Sequence, residues 1–284
     1  MKKPKVNRSR WGNVILFIFL SLVALFMSAP LVYTVMMAFK PLDELFMFPP
    51  RFFVVNPTLK NFRDLFSVLG NSFVPFTRYL FNSLLVTVVA TALHVIISSM
   101  AAYALAKHKF RGREFIFQMI VYSLMFSAYV LGVPRFMMMS KIGILDSYAA
   151  LIFPAVASTL GLYLMKQFME QIPEALLESA RIDGANEWTI LWRIAMPMVK
   201  PAWLTLILLC VQSVWGDAGS PSLYIHNESL KTIPVLQSYV AAGGTARAGA
   251  SAALTLIMIM VPILIFVISQ SNVIETMKTS GMKD

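Results

Sequence analysis

Residues 79–106 read YLFNSLLVTVVATALHVIISSMAAYALA. The stretch contains no Asp, Glu, Lys or Arg, and no glycine or proline breaks it. A helix needs ~20 mostly apolar residues to cross a bilayer, with a range of about 17–25. Lipid offers the backbone no water, so a segment of this kind satisfies its N–H and C=O groups only as a helix. The stretch therefore reads as a membrane-spanning helix, and that reading sets the class of the whole chain.

Five more charge-free stretches flank it: 11–39, 115–134, 147–165, 201–216 and 248–274. The stretch 201–216 is short, and Met196 to Val199 lengthen it. The chain reads as all-α, a polytopic membrane helical bundle of six transmembrane helices. Composition agrees: 58% of the 284 residues are hydrophobic and 13% charged, where soluble domains run about 45–50% and about 25%. The same figures exclude disorder. A single cysteine, Cys210, excludes a disulfide scaffold. The first stretch follows a basic start, but it is far longer than the roughly 7–15 residues of a signal-peptide core. It is read as a retained helix.

The net charge of +10 is read by location. With the N-terminus in the cytoplasm, six spans place 15 of the 24 Lys and Arg residues in inner segments and nine in outer ones. Basic residues in short loops mark the cytoplasmic side, so both termini are expected there. The outer segment 40–75 carries Pro41, Pro49, Pro50, Pro57 and Pro75 and is expected to be irregular and stiff.

The inner segment between the fourth and fifth spans differs from the rest. It holds five of the 14 acids: Glu170, Glu174, Glu178, Asp183 and Glu187. Pro173 and Glu174 suit a helix start. Gly184 suits a left-handed stop, and Asn186 suits the N-cap of a second helix. Trp188, Leu191, Trp192 and Ala195 share one face at helical spacing. Pro197 and Pro201 end this second helix. Two readings of the pair stay open: it rests on the bilayer surface, or it docks on a partner, which its acids favour.

The run Glu178-Ser179-Ala180-Arg181-Ile182-Asp183-Gly184-Ala185, followed by Ile194 and Pro197, resembles the EAA motif of ATP-binding-cassette importer permeases. Ser179 stands at the second motif position, where that pattern has alanine. The Asp183-Gly184-Ala185 form, with Pro173 upstream, is similar to the carbohydrate-uptake branch, the group of the maltose importer's second membrane subunit. Lys40-Pro41, Thr58-Leu59-Lys60-Asn61-Phe62, Asn82-Ser83, Ala101 to Ala106 and Phe110-Arg111-Gly112-Arg113 extend the likeness. Trp215-Gly216-Asp217 departs from it, since many relatives carry Trp-Asn-Asp or Trp-Asn-Glu there.

The resemblance implies a type I importer permease. Its six-helix domain would span 13–274 and include a cytoplasmic EAA coupling loop at 169–200, with cytoplasmic tails at 1–12 and 275–284. The membrane would be the cytoplasmic (inner) membrane of a prokaryote. Implied partners are a second permease subunit, as hetero- or homodimer, two ATP-binding-cassette ATPase subunits and an extracytoplasmic solute-binding protein. The chain itself would bind no cofactor, with ATP and Mg used by the ATPase. Glu178 would contact the ATPase or brace the loop. Ala180 and Ala185 would keep the docking face small, Asp183 would cap the second helix, and Gly184 would make the turn. Asn82, Tyr122, Tyr163, Gln212 and Trp215 are candidates for the substrate pathway.

Other chemistries find little support. No glycine precedes a lysine, so the end of a P-loop is absent. Neither His-Glu-x-x-His nor Gly-x-Ser-x-Gly occurs among residues that include only His94, His108 and His226 as histidines, and no enzyme activity is expected. The run Met137-Met138-Met139 reads as packing. The basic loop 108–113 is orientation charge, and no nucleic-acid partner is expected. An importer for a non-sugar solute remains an alternative. An ion-coupled secondary transporter is a weaker one, because the six stretches carry no Asp, Glu, Lys or Arg; His94, inside the second, reads as a neutral histidine bonded to a neighbouring helix.

Overall fold

The computed structural model describes residues 10–70, 74–126 and 130–280. The described residues are helical, with no strand among them. In chain order the main helices are α1 (Arg10–Phe39), α2 (Lys60–Gly70), α3 (Phe76–Lys107), α4 (Arg113–Ser123), α5 (Gly132–Lys141), α6 (Tyr148–Val156) and α7 (Thr159–Glu170). Then follow α8 (Glu174–Ile182), α9 (Glu187–Met198), α10 (Lys200–Trp215), α11 (Gly219–Tyr224), α12 (Ile233–Ala242) and α13 (Ala248–Ser280).

The six expected spans resolve differently. Four segments are long and apolar enough to cross a membrane: Trp11–Phe39, Phe76–Lys107, Tyr148–Glu170 and Gly244–Gln270. The stretch 201–216 is met by α10, which has 16 residues and joins α9 at an angle of 82°. Counting that bent pair gives a fifth span. The stretch 115–134 is no single helix among the described residues: α4 ends at Ser123, and α5 starts at Gly132 with Pro134 in its first turn. A proline is tolerated there, where its missing N–H has no partner to lose. The tails expected at 1–12 and 275–284 fall partly outside the described residues; α1 begins at Arg10 and α13 continues to Ser280.

The chain divides into two compact units. One takes residues 1–68 and 240–257. Here α1 turns its apolar side chains outward, Phe17 and Phe26 among them, as suits a helix whose solvent is lipid. The proline-rich segment after it is pinned by polar groups. Asn61 Nδ2 donates to the carbonyls of Ala38 at 2.9 Å and Lys40 at 2.7 Å. The Glu44 carboxylate accepts the amides of Val55 at 3.0 Å and Asn56 at 2.8 Å, and the Lys40 ammonium donates to the Arg51 carbonyl. The segment is irregular as expected to Thr58, apart from one turn at Leu42–Leu45. It then forms α2, which the proline content concealed although Phe62, Leu65, Phe66 and Leu69 follow helical spacing.

The second unit takes residues 69–239 and 258–284. Its centre is α3, packed against α6, α7 and α10. At its middle His94 is 1% exposed, and its Nδ1 lies 2.8 Å from the carbonyl of Val156. That carbonyl ends α6, at the notch where α7 begins. The ring fits because residue 161 is glycine: a Cβ there would lie 2.1 Å from His94 Nε2 and 2.6 Å from Leu206 Cδ1. His94 is thus a packed strut of the helix core. Gly161→Ala is expected to cost about 1–3 kcal/mol through overpacking and to lower the melting temperature of the purified protein. Gly132→Ala, where a Cβ meets nothing within 4 Å, should leave it unchanged; equal behaviour of the two would contradict this packing.

Candidate functional site

The segment from Glu170 to Lys200 is a helix, a turn and a second helix. Pro173 fixes an extended entry and Glu174 lies in the first turn of α8, where a carboxylate complements the helix dipole. The end of α8 is closed by two backbone bonds of 3.0 Å, from Gly184 N to the Arg181 carbonyl and from Ala185 N to the Ala180 carbonyl. This closure needs a left-handed residue, and Gly184 has φ +85°. A Cβ at 184 would meet nothing within 4 Å, so the backbone angle alone demands glycine. Asn186 then caps α9, its side chain accepting from Thr189 N at 2.8 Å. Asp183 does not take that expected role; it is the exposed C-cap residue that follows the first helix.

The second helix departs from the α period. Residues Ile190–Ala195 are π-helical, and the wider turn shifts which side chains face inward. Ile190 and Ala195 are buried, as are Leu191 and Met196, so burial recurs at five. The face expected from Trp188, Leu191, Trp192 and Ala195 is therefore split. Trp188 is 60% exposed, its ring 5.7 Å from that of half-buried Trp192. Pro197 lies in the final turn, and α9 ends at Met198.

The underside of the pair is a core. Leu177, Ala180, Ile190 and Leu191 pack with Ala102 and Tyr103 of α3 and with Met165 and Met169 of α7. Ala180 was expected on the docking face; it is buried, and its smallness lets α8 approach this core. Ala185 is half-buried against the same cluster.

A polar knot fastens the pair further. Glu187 Oε1 accepts from Arg181 Nε at 2.8 Å, and Glu187 Oε2 accepts from the Tyr103 hydroxyl at 2.8 Å. His108 Nε2 lies 3.5 Å from Oε2. The Arg181 hydrogen bond, with that of Tyr103, outweighs burial and holds the Glu187 carboxyl below the ordinary carboxylate range. One turn further along α3, the Lys107 ammonium donates to the Ile172 carbonyl at 2.6 Å and the Glu170 carbonyl at 3.3 Å. Lys166 pairs with Glu170 at 2.7 Å and sits 3.6 Å above the Phe117 ring. Bracing, one of the two roles open to Glu178, falls to Glu187. Nothing in local spacing marks Glu187 for that task, because its partners lie on three other segments.

The opposite surface is free. Glu178, Ser179, Asp183 and Gly184 are exposed, and Ile182 at the turn is 86% exposed. Sequence reading missed Ile182 and Trp188 as surface groups.

The five pathway candidates do not converge. Asn82 is fully buried: its Nδ2 donates to the Ser229 and Lys231 carbonyls at 2.8 Å each, and its Oδ1 accepts from the Tyr148 hydroxyl at 2.7 Å. Those bonds make it a clamp between α3, Tyr148 and the segment 229–231. Tyr163 stacks on Phe117 at 6.1 Å. Tyr122 and Gln212 are exposed on α4 and α10. Trp215 donates to the Met258 carbonyl at 2.8 Å and lines a groove of about 760 Å³ with Val95, Trp192, Met196, Trp203 and Val261.

A family profile described as binding-protein-dependent transport system inner membrane component matches residues 94–278. The chain belongs to this family. The matched region begins within α3 and includes the whole of the helix pair and its knot. Among relatives, the sulfoquinovosyl glycerol transport system permease protein SmoH of Agrobacterium fabrum is 31% identical, covering 96% of this chain and 94% of that one. The arabinooligosaccharides transport system permease protein AraQ of Halalkalibacterium halodurans is 29% identical, covering 83% and 82%. The fold is also that of a solved bacterial ABC transporter chain involved in import of the acidic polysaccharide alginate: TM-score 0.78, 23% identity, 95% of this chain and 99% of that one. The protein is a multi-pass membrane permease component and not an enzyme.

The turn of this permease gives a direct test. Gly184→Ala places a side chain at φ +85°, which costs about 1–2 kcal/mol. Hydrogen exchange at the Gly184 and Ala185 amides should rise about five- to thirtyfold, with α3 unaffected. Unchanged exchange there would contradict the closure described.

Proposed function

We propose that this permease forms half of the translocation pathway of an ATP-driven carbohydrate importer and receives its ATPase on the α8–α9 pair. The observation that carries the reading is a rigid turn with one face fastened to the bundle and the other bare. Glu178, Ser179, Ile182, Asp183, Gly184 and Trp188 form the bare face. The chain has no P-loop, so hydrolysis of Mg-ATP belongs to two separate cassette subunits. A second permease subunit completes the pathway, and a solute-binding protein delivers the solute from outside. The bias of basic residues supports cytoplasmic termini in an inner membrane. The sugar-derived solutes in the names of both relatives support a carbohydrate cargo.

Two outcomes check this reading. The purified permease should carry its ATPase with it, and Ile182→Asp should weaken that association about tenfold or more, because a charge would replace a buried apolar anchor. Retention of full affinity by Ile182→Asp would remove the docking assignment. In the assembled complex, the binding protein loaded with an oligosaccharide should stimulate ATP hydrolysis. Stimulation by an amino acid or phosphate, and by no carbohydrate, would overturn the cargo.

A further inference from the structure

We infer that α3 works as one stiff rod between the ATPase-facing pair and the loop 224–233, with Tyr103 and Tyr79 as the positioning residues at its two ends. The inference rests on the docking role proposed above. Helix α3 has 32 residues and neither glycine nor proline, so it spans about 48 Å at 1.5 Å per residue. Two other members of this unit are interrupted, and α13 carries Pro262. A notch at Ala157–Ser158 separates α6 from α7, and α9 meets α10 at 82°.

Both ends of α3 are gripped by buried hydroxyls on shared carboxylates. At one end the Tyr103 hydroxyl donates to Glu187, and Lys107 holds the carbonyls of Glu170 and Ile172. At the other the Tyr79 hydroxyl donates to Glu228 at 2.8 Å, and Arg78 Nε donates to the Ser229 carbonyl at 3.1 Å. Asn82 holds Ser229 and Lys231, and Ser83 Oγ accepts from Ile233 N at 2.8 Å. Glu228 is fixed in turn by Lys231 at 2.7 Å. Tyr79 and Tyr103 are 3% and 4% exposed. A displacement of the helix pair therefore enters α3 through Tyr103, whose partner Glu187 opens α9, while Lys107 holds only the segment before α8. It leaves through Tyr79, whose partner Glu228 stands in the loop, because an unbroken helix carries it without absorbing it at a hinge.

Tyr79 and Tyr103 lie about 36 Å apart along the helix, a distance at which substitutions are ordinarily independent. The test uses the full permease–ATPase complex in lipid nanodiscs. Hydrogen exchange at residues 224–233 is compared without nucleotide and with Mg-ATP plus orthovanadate. In the unmodified complex, trapping should change exchange there about five- to 150-fold, the ordinary range of coupling between sites. Tyr103→Phe should abolish that response while the nucleotide-free exchange stays as in the unmodified complex. Tyr79→Phe should abolish it from the other end, and the double variant should lose no more than either single one. A response that survives Tyr103→Phe, its absence in the unmodified complex, or additive losses would overturn the rod. Loss of the ATPase from the Tyr103→Phe complex would make that hydroxyl an assembly group and overturn it also. Failure of the unmodified permease to bind any ATPase would instead overturn the docking role itself.

Discussion

The carboxylate of Glu187 is the interaction on which the helix pair depends. It gathers a hydroxyl from α3, a guanidinium from α8 and the imidazole that follows α3, while its own residue opens α9. Each of those elements could slide on an apolar core, since dispersion and burial are non-directional. Charge-assisted hydrogen bonds are directional and about twice as strong as neutral ones. One acid therefore sets the register of three segments, and the Schellman-type closure at Gly184 sets the angle between two of them.

The same economy of charge runs through the second unit. Among the described residues, Lys166 near the end of α7 pairs with Glu170, Lys107 at the end of α3 holds two carbonyls, and Lys231 in the loop 224–233 pairs with Glu228. Two of the polar side chains buried between helices are held likewise. Asn82 uses its amide hydrogens and its oxygen, and His94 meets a carbonyl left at the end of a helix. Buried polar groups cost free energy unless they are bonded, so these residues fix geometry and are poor candidates for meeting a solute.

Much of this was legible in the residues, and the limits have physical causes. Charge-free runs located α1, α3 and α13 because lipid acts on every residue of a span. They failed at 115–134, where absence of charge does not forbid a break. Gly184 and Asn186 were readable because turn closure and capping are local chemistry. The inward positions of α9 were not, because a π segment changes the period and nothing in its composition announces it. Glu187 and Asn82 were misjudged for one reason: their roles are set by partners distant in sequence, Tyr103 for one and Ser229 and Lys231 for the other. Ile182 was passed over because an isoleucine in a helical pattern is ordinarily core, and here the turn carries it outside.

The turn at Ile182–Gly184 is the surface proposed to meet the ATPase. Its most direct measurement is photo-crosslinking in membranes, with benzoylphenylalanine placed at position 182 or at position 223, where Leu223 is also exposed. Capture of the ATPase subunit from position 182 and not from 223 is the expected result. Equal capture from both positions, or none from 182, would contradict the claim.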